Sequence, residues 1–430
     1  MSITVAMYSH DSVGLGHARR NRAIAFALAA DLPRITGEQV RGLLIAGHPD
    51  ATNDSLPPGW DWLVLPGFTR TEEGYASRKL TMSVERLTAL RSSTVSAALE
   101  VVEPDLFIVD RHPFGVGGEL KPALRMLRER GKTTTVLGMR DVLDTPQAAR
   151  REWERAGGGA AVAEHYDAMW VYGDDAVYDP FATGELPAEL ATRSRSTGYL
   201  AHGRPDDPNG SQAVRAQQPY VLTMVGGGSD GGAIGLAAAQ AQIPAGHRHV
   251  ILTGPQMPAE DHARIVQAVE DSAADHGTAS SALHGQTASS ALHGQAVQVR
   301  RYAPNVPKLI REAAAVVCMA GYNSMAEVMA TTTPALVVPR STRRAEQPRR
   351  AEALAAAGAV STLPAERLTP AALSSWFASA VHERTLRDGV DLDGLTRVGG
   401  FAAELIGRVP AAAGPARRTP AHSEEPAHVR

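Results

Sequence analysis

The chain has 430 residues, room for two or three domains with full hydrophobic cores at about 150 residues each, which excludes a small stapled module. Apolar residues make up 43% and charged residues 21%, the balance of a folded globular protein, so wholesale disorder and fibrous repeats are excluded. The 43 Lys and Arg nearly cancel the 46 Asp and Glu for a net charge of -3, leaving no excess positive field to hold a nucleic-acid backbone.

In chain order, Ile3 to Tyr8 is short, apolar and partly β-branched and reads as a strand. A polar glycine-containing loop follows, then a helical stretch from Ala18 to Leu32 that Pro33 is expected to stop. Gly42 to Ala46 and Trp62 to Leu65 read as strands, Val84 to Val102 as a helix, and Leu106 to Val109 as a buried strand. A helix from Leu120 to Arg130 leads to strands at Thr134 to Leu137 and Ala168 to Tyr172. The polar, Pro- and Gly-rich run from Ala201 to Gly210 reads as an interdomain linker. The alternation then restarts with strand Tyr220 to Val225, a glycine loop, helix Ala233 to Gln242 and strand Val250 to Thr253. Strands Val297 to Arg300, Ala315 to Met319 and Ala335 to Val338 complete a second series. Alternating strands and helices imply parallel sheets covered on both faces. The expected organisation is an α/β chain of two similar halves, 1–200 and 219–409, joined by a linker at 201–218 and ending in a disordered tail at 410–430.

Thr278 to Gln286 reads TASSALHGQ, and Thr287 to Gln295 repeats it letter for letter. Such a copy is too short to stack into a solenoid and is read as a surface-loop duplication, in which His284 and His293 are not metal ligands. Only four lysines occur, the other 39 basic residues being arginine. Arginine pairs such as Arg19-Arg20 and Arg300-Arg301 are therefore read as solvated faces. The single cysteine, Cys318, lies in an apolar run and reads as a small buried hydrophobe, which fits a reducing compartment. No run approaches the roughly 18 apolar residues needed to span a bilayer, and Met1 to Tyr8 lacks a basic leader, so a cytoplasmic protein is expected. Asp174-Asp175 has no third ligand at suitable spacing and reads as a solvated turn; no metal site is expected.

Three segments carry chemistry. From Cys318 to Glu327 a buried strand ends, Gly321 allows a tight turn, and a helix begins near Ser324, so free N–H groups and the positive helix end point outward, where an anion fits. Asn323 or Ser324 also suits a helix cap, and Glu327 one turn on could hold ribose hydroxyls. Strand Tyr220 to Val225 followed by Gly226, Gly227, Gly228 and Ser229 repeats the strand, glycine loop, helix arrangement that lets backbone approach a phosphate. The loop from Ser9 to Asn21 places His17 at a helix N-terminus, which favours a neutral, proton-accepting imidazole; it is either a general base or a cap. Asp110, at a strand end beside His112, is the other candidate base or else a loop cap.

The segment from Cys318 to Glu327, with Pro334 to Pro339 and Glu346-Gln347, resembles the C-terminal domain of glycosyltransferases with the GT-B fold, particularly family 28, the group containing the enzyme that adds N-acetylglucosamine to lipid I. Trp62 to Gly67, Pro104 to Gly115, Gly138 to Asp144 and Tyr166 to Gly173 are similar to a group of bacterial glycosyltransferases predicted from sequence. The resemblance runs over roughly Ile3 to Leu363, excepting the duplicated loop. It implies two Rossmann-like domains facing each other across a cleft, with a nucleotide-diphosphate sugar, UDP-linked, bound to the second. Ser324 and the backbone of Gly321, Tyr322 and Asn323 would then contact the diphosphate, with Gly227, Gly228 and Ser229 beside them. Glu327 would hold the ribose, Glu346 and Gln347 the sugar hydroxyls, and Tyr302 and Ala303 the base. The implied reaction is an inverting, metal-independent transfer to an unidentified small-molecule, lipid or natural-product acceptor, with no further cofactor and no nucleic-acid partner. A nucleotide-sugar hydrolase, an epimerase and a non-catalytic nucleotide-sugar-binding protein are the alternatives.

Overall fold

The computed structural model describes residues 2–11, 14–71, 74–205, 218–275, 296–340 and 344–407. The duplicated loop, the tail at 410–430 and most of the linker lie outside the described residues.

The first half runs β1 (Ser2–Tyr8), α1 (Gly16–Thr36), β2 (Gln39–Ala46), β3 (Trp60–Val64), β4 (Phe68–Thr71), β5 (Gly74–Ser77), α2 (Val84–Val102), β6 (Leu106–Asp110), α3 (Lys121–Arg130), β7 (Thr134–Arg140), α4 (Pro146–Arg155), α5 (Gly158–Ala163), β8 (Ala168–Tyr172) and β9 (Ser194–Ser196). Strands β4 and β5 pair only with each other, as an antiparallel hairpin. The others form a seven-stranded parallel sheet in the order β3-β2-β1-β6-β7-β8-β9. Strands β1, β6 and β8 are buried almost throughout, as expected of a parallel sheet covered on both faces.

The second half runs β10 (Tyr220–Met224), α6 (Gly232–Ala239), β11 (Arg248–Leu252), α7 (Ala259–Asp275), β12 (Val297–Arg300), α8 (Val306–Glu312), β13 (Ala315–Cys318), α9 (Tyr322–Met329), β14 (Ala335–Val337), α10 (Glu346–Ala356), β15 (Ser361–Thr362), α11 (Pro370–Ala380) and α12 (Gly394–Leu405). Its six parallel strands follow the order β12-β11-β10-β13-β14-β15. In both sheets the strand order reverses beside the first strand, between β1 and β6 and between β10 and β13. Open α/β sheets bind ligands in the crevice at such a switch point, beyond the strands' carboxyl ends. Two α/β halves of this kind make the GT-B arrangement of Rossmann-like domains.

Helix α1 does not stop at Pro33. It continues to Thr36 and ends at Gly37, which takes the left-handed conformation at φ 75° and donates its N–H to the Pro33 carbonyl. The proline costs one intrahelical bond near the end of the helix, where tertiary packing can offset it. The packing comes from α12, which lies in the range read as the second half yet returns to α1. A Cβ on Gly399 would sit 2.6 Å from the Asp31 Cβ, so glycine permits the close approach. Arg195 in β9 pairs with Glu404 at 2.5 Å.

The halves are also joined by buried charge. Arg350 on α10 grips Asp141 after β7 through Nε at 2.9 Å and Nη2 at 2.7 Å, and both side chains are fully buried. The same guanidinium donates to the Ala320 and Val142 carbonyls. Asp174 is not solvated: it is buried, and accepts the N–H groups of Ala176 at 3.0 Å and Asp391 at 2.8 Å. Cys318 is buried, which pushes its thiol up to about 12.

Candidate active site

On the first domain's side, β1 ends at Tyr8 and the chain turns through Asp11, a buried residue in the left-handed region at φ 42°. Its carboxylate accepts the Ala18 N–H at 3.0 Å, the Ser9 hydroxyl at 2.5 Å and the Gly47 N–H at 3.3 Å. This supplies the cap that Leu15, at the N-cap position of α1, cannot provide. The first turn of α1 is thereby fixed above the end of the sheet, at the switch point.

That turn carries His17, whose Nδ1 lies 2.7 Å from Asp110 Oδ2 at the end of β6. Asp110 is fully buried and also accepts from Arg20, at 3.2 Å from Nε and 2.5 Å from Nη2. Burial alone would push the Asp110 carboxyl up, but the Arg20 guanidinium and the His17 imidazole hold it well below the usual carboxylate range. A carboxylate accepting from Nδ1–H fixes the ring's tautomer and leaves Nε2 as the proton acceptor. Two further imidazoles pack here. The His10 ring lies between those of His17 and His112, with centroids 4.4 Å from each. Burial holds His10 far below the ordinary histidine range, with His112 and His17 adding to the effect, and burial with Arg111 brings His112 down to about 3.

On the second domain's side, the loop after β10 needs its glycines. Gly226 and Gly228 have φ values of 62° and 95°, and a Cβ on Gly228 would lie 2.1 Å from the Thr253 carbonyl oxygen. The Gly227 carbonyl accepts the Gln256 N–H at 2.8 Å. Ser229 is exposed and donates to Asp230. After β13, Gly321 caps α9 with no side-chain hydrogen bond, and a Cβ placed there would meet nothing within 4 Å. The first N–H groups of α9 therefore have no partner in an N-cap side chain. Ser324 Oγ lies 4.0 Å from the position of a Gly226 Cβ, so the glycine loop and the helix end share one site.

The first domain reaches over this site. Asn323 Nδ2 donates to the Gly16 carbonyl at 2.7 Å, and its Oδ1 accepts from Arg204 at 3.1 Å. Glu327 is buried and accepts from Arg19 at 2.8 Å. Tyr322 points its ring away from the loop, stacked near Tyr199 at 6.2 Å, and its hydroxyl oxygen accepts the Leu200 N–H, leaving only its backbone for a ligand. Tyr302 is 68% exposed and Ala303 is buried beneath the same turn. Glu346 Oε2 lies 2.8 Å from Arg140 of the first domain, and Oε1 accepts from Arg340 at 2.9 Å. Although burial would raise it, these arginines with Arg350 and Arg344 hold Glu346 at about 2. Gln347 Oε1 accepts the Arg340 N–H at 3.2 Å.

The structure thus gathers His17, Asp110, Gly321, Asn323, Ser324, Glu327 and the glycine loop at facing switch points. Glu346 and Gln347 lie at the start of α10, again against the first domain. The arginines were missed: Arg20 is buried on Asp110, and Arg19, although 42% exposed, crosses to Glu327. Their spacing from His17, two and three residues along one helix, was the available signal. Among the described residues no cluster of His, Cys, Asp and Glu is arranged to hold a metal ion.

Residues 250–386 match the glycosyltransferase family 28 C-terminal domain. No curated protein matches the chain significantly. Among solved structures, MurG of Acinetobacter baumannii is 14% identical over 94% of this chain and 100% of its own, with a TM-score of 0.54. CalG4, the calicheamicin glycosyltransferase, is 15% identical over 95% of this chain and 100% of its own, with a TM-score of 0.55. The UDP-GlcNAc 2-epimerase of Neisseria meningitidis bound to UDP-GlcNAc is 13% identical over 94% and 99%, with a TM-score of 0.56. At these identities the likeness to solved structures shows the fold. The chain has the GT-B architecture, and its residues 250–386 match a glycosyltransferase family 28 C-terminal domain.

Proposed function

We propose that the protein moves a sugar from a UDP-linked donor to an acceptor hydroxyl with inversion, using His17 as general base. The observation that carries this reading is the His17–Asp110 pair set opposite the uncapped end of α9, with Asn323 bonded to Gly16 across the cleft at 2.7 Å. The donor diphosphate lies on the N–H groups of Gly321, Tyr322, Asn323 and Ser324 and on the loop of Gly227, Gly228 and Ser229. Glu327 takes the ribose, Glu346 and Gln347 the sugar hydroxyls, and Tyr302 with Ala303 the base. The acceptor oxygen attacks the anomeric carbon from the face opposite the diphosphate, so the new C–O bond forms as the old one breaks. His17 Nε2 takes the acceptor's proton, and the electron pair of the broken bond leaves with UDP. Helix N–H groups and arginines take the developing negative charge, work that a metal does in other transferases. A reducing, cytoplasmic setting accords with the lone buried cysteine; no described helix is long and apolar enough to cross a membrane.

Mass spectrometry of the protein with a panel of nucleotide sugars and candidate acceptors tests this. Nucleotide release coupled to a glycosylated product supports the reading. Release without acceptor at the same rate indicates a hydrolase, and donor conversion without release indicates an epimerase, an activity found on the same fold.

A further inference from the structure

Two guanidinium groups from outside the second domain's sheet converge on one carboxylate. Arg19 Nη2 lies 2.8 Å and Arg204 Nη1 3.6 Å from the same oxygen, Oε1 of Glu327. Glu327 is 3% exposed and Arg204 9%. Arg204 is further held by Asn323 Oδ1 at 3.1 Å and, through Nε, by the Leu200 carbonyl at 2.6 Å. One negative charge therefore serves two cations, at the edge of the open N-terminus of α9. Asp54 adds a second anion beside Arg19, so the imbalance falls on Arg204. Arg19 faces Glu327, Asp54 and Tyr302, while Arg204 faces Glu327 and Tyr322 but also Arg19 and Arg20. Burial, together with these two arginines, pulls Arg204 below the ordinary arginine range despite Glu327.

We propose that Arg19 and Arg204 form an oxyanion subsite for the donor diphosphate, for which the Glu327 carboxylate is the internal competitor. This deepens the donor reading above and rests on it. A diphosphate carries more negative charge than a carboxylate and offers several acceptor oxygens, so it suits two guanidinium forks better than one shared oxygen does. When it takes the arginines, Glu327 is released to accept the ribose hydroxyls. The exchange links the two domains through the donor, because Arg19 belongs to α1 and Glu327 to α9. The same turn of α1 carries His17, so an arginine seated on the diphosphate also sets the base relative to the leaving group.

Calorimetric titration of the full chain with UDP, uridine and inorganic pyrophosphate tests the subsite on wild type, Arg19→Gln, Arg19→Lys and Glu327→Gln. Arg19→Gln is expected to bind UDP and pyrophosphate about 10-fold or more weakly while uridine binding is unchanged, with Arg19→Lys in between. Glu327→Gln is expected to move the ligands in opposite directions, binding pyrophosphate several-fold more tightly and uridine more weakly. If wild type binds UDP and Arg19→Gln binds it as tightly, the subsite is refuted and the donor reading stands. If Glu327→Gln binds pyrophosphate no better than wild type, the competition is refuted. If wild type binds neither UDP nor uridine, the donor reading falls and the subsite with it.

Discussion

Replacing Asp110 with Asn keeps the shape of the side chain and removes the charge that serves two partners. In the native protein Oδ2 receives His17 Nδ1 at 2.7 Å and Arg20 Nη2 at 2.5 Å, and Oδ1 receives Arg20 Nε at 3.2 Å. An amide has one acceptor oxygen: in the Oδ2 position it keeps His17 and Arg20 Nη2 but turns an N–H donor toward Arg20 Nε, and in the Oδ1 position it turns that donor toward His17. Arg20 is 2% exposed and would become an uncompensated buried cation. Breaking a buried pair this way costs about 3–5 kcal/mol, and the retained acceptor places the expected loss near the lower end. Turnover should fall about 100-fold to 10,000-fold, because His17 loses the carboxylate charge that holds its tautomer and steadies its protonated form. The stability difference also has a pH signature. Asp110 titrates below its unfolded value of 3.8, so its contribution is full above that pH and is lost as the pH falls through the folded value. The gap between wild type and Asp110→Asn in urea unfolding should therefore be constant from pH 8 to pH 5 and close below about pH 4. Lost stability with undiminished turnover would make Asp110 a partner of Arg20 only, and an unchanged protein in both respects would refute the assignment.

Arg350→Met should lower stability by about 3 kcal/mol or more by stranding Asp141 between the domains, and the double change with Asp141→Leu should recover most of it; thermal melts of the three variants check this. Gly228→Ala should distort the loop after β10, because its Cβ would lie 2.1 Å from a carbonyl oxygen at a φ of 95°; nucleotide affinity and melting temperature should fall together. His249 is buried against Thr223 and Phe377, and burial holds it at about 3. The unfolded chain therefore takes up this proton first, and stability is lost as pH falls from about 6.5 to 3, by up to about 1.4 kcal/mol per pH unit. His249→Gln should flatten that slope in urea midpoints measured between pH 7 and pH 5.

The parallel sheets were legible because their strands are apolar runs alternating with helical stretches, as at Leu106 to Val109 and Ala315 to Met319. The return of α12 to α1 was not, because its partner Asp31 lies far away in sequence. Pro33 misled for a related reason, since propensity marks a stop that long-range packing overrides. The glycine loop and the end of α9 were legible from backbone requirements, which are local. Arg19, Arg204 and Arg140 were not, because composition makes any one arginine look incidental and their carboxylate partners belong to the other half of the chain. Asp110 and His17 were each visible, yet only the fold shows that they touch.

The proposed mechanism divides the labour, with the base on the first domain and the nucleotide and sugar of the donor on the second. It is tested most directly by measuring turnover and donor dissociation constant together on His17→Ala. Turnover should fall by about 100-fold or more, with donor affinity within about 3-fold of wild type. Retained turnover in a folded His17→Ala protein would contradict it.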